Sequence, residues 1–178
     1  MIDWNEIPDV KIEWKPSVIV AGTFNRFHGG HRRLLVRAIW ESYQTGMPLI
    51  IGVTHDIFAR RGRKVEVRSW FERAKSVSDF VEAYVKDCQH ADVFRGFVPT
   101  RRIMIVFDKN QMPSRQVCAT MVVSEETEPH TRTLLKALRY DDTKVVVVPM
   151  KRDEKGNVIH STDLILKEEK EHDTKVGE

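Results

Sequence analysis

His28 and His31 stand three positions apart around Gly29 and Gly30, inside the stretch 18–35, VIVAGTFNRFHGGHRRLL. An imidazole N–H donates to a phosphoryl oxygen and a protonated ring adds charge, so paired histidines suit transfer chemistry at phosphorus. The neighbouring elements supply what that chemistry needs. Val18, Ile19, Val20 and Ala21 form an uncharged, mostly β-branched run, the pattern of a strand buried on both faces of a parallel sheet. Leu34, Leu35, Ala38 and Ile39 recur at the spacing of a helix packed on that sheet. Gly22, Thr23 and Phe24 leave the strand, and the loop ends at the helix amino terminus, where N–H groups and the dipole favour phosphate.

Within this stretch, GTFNRFHGGH at 22–31 resembles the GTFD...HxGH signature of the nucleotidyltransferase superfamily, with Asn25 where aspartate is more usual. The resemblance implies an α/β fold: a Rossmann-like, doubly wound sheet of about five mostly parallel strands with helices on both faces. It also implies transfer of a nucleotide monophosphate from a nucleoside triphosphate to a phosphate-bearing acceptor.

Composition narrows the setting. At 178 residues the chain is expected to form a single domain, 1–178, with its own core. Twenty-nine Lys and Arg against 26 Asp and Glu leave +3, too balanced to demand nucleic acid or a membrane as partner. Cys88 and Cys118 lack CxxC spacing, so core thiols in a reducing compartment are expected rather than a disulfide or metal site. Charges interrupt the amino-terminal segment before it reaches spanning length, and the expected location is cytoplasmic.

Along the chain, residues 1–16 read as an appendage ending at Pro16. The first helix is predicted from about His28 to Tyr43, stopping near Gly46 and Pro48, and Leu49 to Val53 as a second buried strand. That strand runs into Thr54, His55 and Asp56, then a loop carrying Arg60, Arg61, Arg63 and Lys64. Cations at the carboxyl end of a parallel strand face the side where α/β sheets bind ligands. Residues 68–89 predict a packing helix with Phe71, Ala74, Val77, Val81, Val85 and Cys88 on its apolar stripe and Arg73 mostly off it. Ile103 to Val106, Ala119 to Val123 and the run in 144–150 complete the strands, with a loop over 108–117 and a helix through Leu134, Leu135 and Leu138. The tail 167–178 lacks an apolar face and is expected to fray into disorder.

VVSEET at 122–127 resembles the phosphopantetheine adenylyltransferases of the archaeal and eukaryotic type. Ser124 and Thr127 can cap the following helix, while Glu125 or Glu126 can accept hydrogen bonds from a ligand. Ile159, His160, Ser161 and Thr162 resemble that family's ISSTRIR motif, with Asp163 and Ile165 where arginines stand. Neutralising a triphosphate would then rely on other groups, such as Arg32, Arg33 or the basic run.

The resemblance implies ATP and 4'-phosphopantetheine as substrates and coenzyme A biosynthesis as the setting. Its implied catalytic residues are His31, with the main role at the α-phosphate, and His28. Gly22, Thr23, Phe24, His31, Ser124, Glu125, Thr127, His160, Ser161 and Thr162 would bind nucleotide. Thr23, Lys64, Arg60 and Arg61 would serve the acceptor, Lys64 being the nearest equivalent of a family lysine. Mg2+ would arrive with ATP and need no dedicated protein cage. Other readings are a related cytidylyltransferase, an FMN or NMN adenylyltransferase, or a nucleotide-binding module without turnover. The run at 60–64 has no interleaved aromatics, so nucleic acid is not the expected partner.

Overall fold

The apolar runs assemble into one parallel sheet. In the computed structural model the described residues are 15–61, 66–94, 101–106, 113–150, 152 and 156. Most of the predicted appendage (1–14), Arg63 and Lys64, loop residues 108–112, His160 to Thr162 with Asp163 and Ile165, and the tail lie outside them. Among the described residues the strands are β1 (Ser17–Gly22), β2 (Leu49–Thr54), β3 (Arg101–Val106), β4 (Cys118–Ser124) and β5 (Lys144–Val148). Their order is β3-β2-β1-β4-β5, and every neighbouring pair is parallel. All five carboxyl ends therefore share one edge. The order reverses between β1 and β4, the switch point beside which α/β sheets leave a crevice.

Helices cover both faces, as the two-residue period of the strands requires. Val18, Val20, Leu49, Ile51, Val53, Val122 and Val146 pack with Leu35, Ala38 and Ile39 of α1 (Gly29–Thr45) and Ala74, Val77, Val81 and Val85 of α3 (Trp70–His90). Ile19, Ile50, Met121 and Val123 point the other way, onto Leu135 of α4 (Glu128–Ala137). Gly52 has no room for a side chain, since a Cβ there would lie 2.8 Å from Val106 Cγ2. α1 stops at Gly46, whose φ of 68° suits glycine.

Three local expectations change. The chain after β2 folds as a short helix, α2 (Asp56–Arg60), capped by His55, rather than as a loop throughout; five residues are too few for periodicity to reveal it. On α3 the stripe passes through Trp70 and Arg73, while Phe71 is 70% exposed. At 100° per residue, Arg73 lies within about 40° of Val77, and Phe71 lies about 120° away. Finally, Thr127 occupies the N-cap position of α4 without a side-chain cap bond. Its Oγ1 accepts from the Ser124 N–H at 3.2 Å and pairs with Ser124 Oγ at 3.0 Å, closing the turn instead.

Candidate active site

The two histidines and the start of α1 build each other. His28 is the N-cap, and its Nδ1 accepts from the Gly30 N–H at 3.1 Å. His31 reaches back from the first turn, its Nδ1 accepting from the His28 N–H at 3.5 Å. This is a capping box made of imidazoles in place of the usual Ser/Thr and Glu pair. An accepting Nδ1 carries no proton, so in both rings the proton sits on Nε2. The cap thus favours the tautomer with the proton on Nε2 in both rings, rather than the doubly protonated ring that phosphate chemistry suggests from sequence.

Packing holds the rings in place. Their centroids are 3.9 Å apart. Phe24 lies 5.3 Å and Phe27 5.9 Å from the His31 ring. Phe24 is buried with φ at 52°, and Arg26 follows at 43°, so two non-glycine residues hold left-handed backbone in one turn. Such conformations cost on the order of 1 kcal/mol or more each and persist where surrounding bonds enforce them. Glycine is needed at 30, because a Cβ there would meet His28 Cε1 at 2.9 Å.

The enforcing bonds come from a residue expected off the apolar stripe, Arg73, and from the departure at Asn25. Arg73 is 1% exposed. Its Nε donates to the Arg68 carbonyl at 2.9 Å, Nη1 to the Thr23 carbonyl at 2.6 Å, and Nη2 to the Thr54 carbonyl at 2.8 Å and Asp56 Oδ1 at 2.6 Å. One guanidinium therefore joins the exits of β1 and β2, the start of α2 and the approach to α3. Its helical spacing to Val77 is the signal in the sequence that sets it on the buried stripe. Asn25 is equally buried and bonds main-chain groups of Glu66 and Arg68. Thr54 Oγ1 donates to the Gly22 carbonyl at 3.2 Å, linking the same strand exits.

The other candidate residues are placed as follows. Gly22, Thr23 and Phe24 end β1 and begin the turn to the cradle. Ser124, Glu125 and Thr127 lie at the exit of β4, across the switch point on the same sheet edge. Glu125 Oε2 accepts from the Met150 N–H at 2.9 Å and lies 3.5 Å from Arg152 Nη2, so that oxygen joins the exits of β4 and β5. Arg60 ends α2, exposed, and the Arg61 guanidinium sits 5.1 Å above the Phe58 ring. Lys64, His160, Ser161 and Thr162 fall outside the described residues. Among the described residues, no group of three or more His, Cys, Asp or Glu could hold a metal ion, and no helix is long and apolar enough to cross a membrane.

Comparison with known proteins bears on the same region. Residues 19–167 match the cytidylyltransferase-like family. The chain belongs to that family. Two proteins named phosphopantetheine adenylyltransferase are each 33% identical to this cytidylyltransferase-like chain. The one from Methanopyrus kandleri aligns over 152 residues, 83% of this chain and 87% of its own length. The one from Methanothermobacter thermautotrophicus aligns over 150, 82% and 80%. A solved structure of a protein of unknown function from Archaeoglobus fulgidus superposes with a TM-score of 0.52 at 26% identity, covering 75% of this chain and 96% of that one.

Proposed function

We infer that this chain moves AMP from ATP to 4'-phosphopantetheine, giving 3'-dephospho-CoA and pyrophosphate, with one domain carrying the reaction in the cytoplasm. The observation that carries the reading is the imidazole capping box at the start of α1, in a chain matching two archaeal phosphopantetheine adenylyltransferases over more than four fifths of its length.

The acceptor is already an anion, so no side chain need act as nucleophile. An acceptor phosphate oxygen attacks the α-phosphorus in line, and the bond to the departing pyrophosphate oxygen breaks. The protein's task is alignment and stabilisation of charge on the non-bridging α-phosphoryl oxygens. His31, and His28 beside it, donate from Nε2–H toward those oxygens, and the amides at the start of α1 add the helix dipole. Thr23 hydrogen-bonds the acceptor phosphate. Gly22 and Phe24 shape the turn against the nucleotide, and Ser124, Glu125 and Thr127 border it from β4. His160, Ser161 and Thr162 hold the outer phosphates, while Arg60, Arg61 and Lys64 attract the acceptor phosphate. Magnesium enters as part of the substrate, MgATP.

Pyrophosphate release with ATP and CTP against a panel of phosphorylated acceptors tests this reading. The expected result is turnover with ATP and 4'-phosphopantetheine above every other pair. Preference for CTP, or for glycerol phosphate, FMN or nicotinamide mononucleotide, would overturn it, and ATP binding without release would mark a non-catalytic module.

A further inference from the structure

We propose, resting on the nucleotidyl-transfer reading above, that the cleft between α1 and the end of β5 receives the outer phosphates of the nucleoside triphosphate, and the pyrophosphate they become, with Arg33 and Arg37 as their charge partners. The cleft measures about 400 Å³, within the size range of small-molecule sites. Arg32, Arg33 and Arg37 line it together with Trp40, Val36 and Val148, and no acid is among the described residues on its wall. Such a charge balance suits a polyphosphate. Residues 159–165, IHSTDLI, contain no arginine, and Ser161 and Thr162 carry no charge, so cations for the leaving group must come from elsewhere in the chain.

The strand order places this cleft on the nucleotide half of the sheet edge. Val148 ends β5 on the carboxyl edge, and Lys144 at the start of β5 donates to Glu41 of α1 at 2.8 Å, so β5 runs beside the helix. β5 neighbours β4, whereas β2, whose exit leads to Arg60 and Arg61, lies on the opposite side of β1. Arg33 follows His31 by two residues, and at 100° per residue Arg37 falls within about 40° of it, turned away from the buried Leu35 and Ile39. Arg32 is drawn the other way, its guanidinium 5.9 Å from the Phe80 ring of α3. Arg33 and Arg37 are thus the pair that belongs to the β5 side.

This arrangement is unfavourable for the helix alone. Arg33 and Arg37 are like charges four positions apart, which repel on a helix surface, and the first turn of α1 carries no acid to complement the dipole. A phosphate between the two guanidinium groups turns that repulsion into attraction, with the paired N–H geometry that arginine offers phosphate. Glu41, 2% exposed, pairs with Nη2 of Arg37 and with Lys144. The buried carboxylate thereby holds Arg37 in place before an anion arrives.

The test measures binding of ATP, AMP and inorganic pyrophosphate by titration calorimetry, with Mg2+ present and no acceptor, in the parent chain, Arg33→Glu and Arg37→Gln. Both variants are expected to weaken ATP and pyrophosphate binding by about tenfold to a hundredfold, the size of a lost hydrogen bond to a charged group, with AMP within about twofold. Glutamate at 33 also makes a favourable pair with Arg37 four positions on, so the Tm of Arg33→Glu should stay at or above the parent value. Loss of a merely structural residue would lower it. A fall in that Tm, ATP and AMP affinities falling together, unchanged ATP and pyrophosphate affinities in Arg33→Glu, or a parent chain that does not bind pyrophosphate would overturn the proposal. Pyrophosphate leaves from ATP or CTP and with any acceptor. Its weakened binding in Arg33→Glu therefore upholds the cleft even where the acceptor panel finds another substrate pair.

Discussion

The Thr23 carbonyl accepts a 2.6 Å hydrogen bond from Nη1 of Arg73, so the first residue past β1 is held by a helix that begins far downstream. The same guanidinium holds the Thr54 and Arg68 carbonyls and the Asp56 carboxylate. The carboxyl edge of the sheet between β1 and β2 is thereby organised around a buried cation.

A lysine cannot replace that fork. Its single nitrogen offers three donors from one point, whereas the acceptors surround a planar group. Arg73→Lys leaves buried carbonyls without partners, each at a cost of about 1 to 3 kcal/mol. Urea denaturation should show a loss of about 3 kcal/mol, with kcat falling as the turn at Thr23 relaxes. A loss below about 1 kcal/mol would show that the carbonyls find other partners.

The capping duty of His28 and its proposed part in the chemistry are separable. Asparagine is also a good N-cap and can accept from the Gly30 N–H. His28→Asn should melt close to the parent yet turn over at least tenfold more slowly, while His28→Ala should also lose about 1 kcal/mol of stability. For His31→Ala the expected cost is about 3 kcal/mol of transition-state stabilisation, roughly two orders of magnitude in kcat/KM. Turnover of either His28→Asn or His31→Ala within twofold of the parent would remove that histidine from the chemistry.

Gly30 gives a sharper probe of geometry. Alanine is favoured over glycine in a helix by up to about 1 kcal/mol, which offsets the loss of the cap when the new Cβ displaces the His28 ring. Gly30→Ala should therefore leave Tm nearly unchanged and lower kcat at least tenfold. Calorimetry and initial rates on the same preparation decide it, and an unchanged rate would show that the ring need not stay where the cap holds it.

Glu41 predicts an acid limb to stability. It is 2% exposed on α1 and is bridged to Arg37 and to Lys144 at 2.8 Å. Burial pushes its carboxyl pKa up, but the hydrogen bonds from Lys144 and Arg37 outweigh it and hold it below the usual value. A carboxylate depressed in the folded state contributes fully above its unfolded pKa of about 4.3, and the contribution fades as pH falls through the folded value. Glu41→Gln should be less stable than the parent by about 1 to 2 kcal/mol at pH 7, with the gap closing below about pH 4. Denaturation series at pH 7, 5, 4 and 3 would reveal a constant gap if the pairing contributes nothing.

Much of this was legible in the chain. The apolar runs named the strands, the spacing of Leu34, Leu35, Ala38 and Ile39 named α1, and HGGH named its start, because burial and helix capping impose local patterns on residue type. Arg73 was legible only in part: its spacing to Val77 sets it on the buried stripe, but its partners Thr23, Thr54, Asp56 and Arg68 are met only once the chain folds. Asn25 stood out only as an unusual residue, without a reason. The capping duty of Ser124 and Thr127 was misread because the same hydroxyls can close a turn or cap a helix, and local sequence does not choose between them.

By itself, then, the sequence determined the strand-turn-helix, the histidine pair and the family, all carried by short-range spacing. Only the tertiary structure decided the strand order that places β1 beside β4, the tautomer imposed by mutual capping of His28 and His31, and the clamps of Arg73 and Asn25. The physical reason is that a hydrogen bond to a main-chain carbonyl carries no side-chain signature. Any residue can supply that carbonyl, so the partner is known only once the chain has brought it within 3 Å.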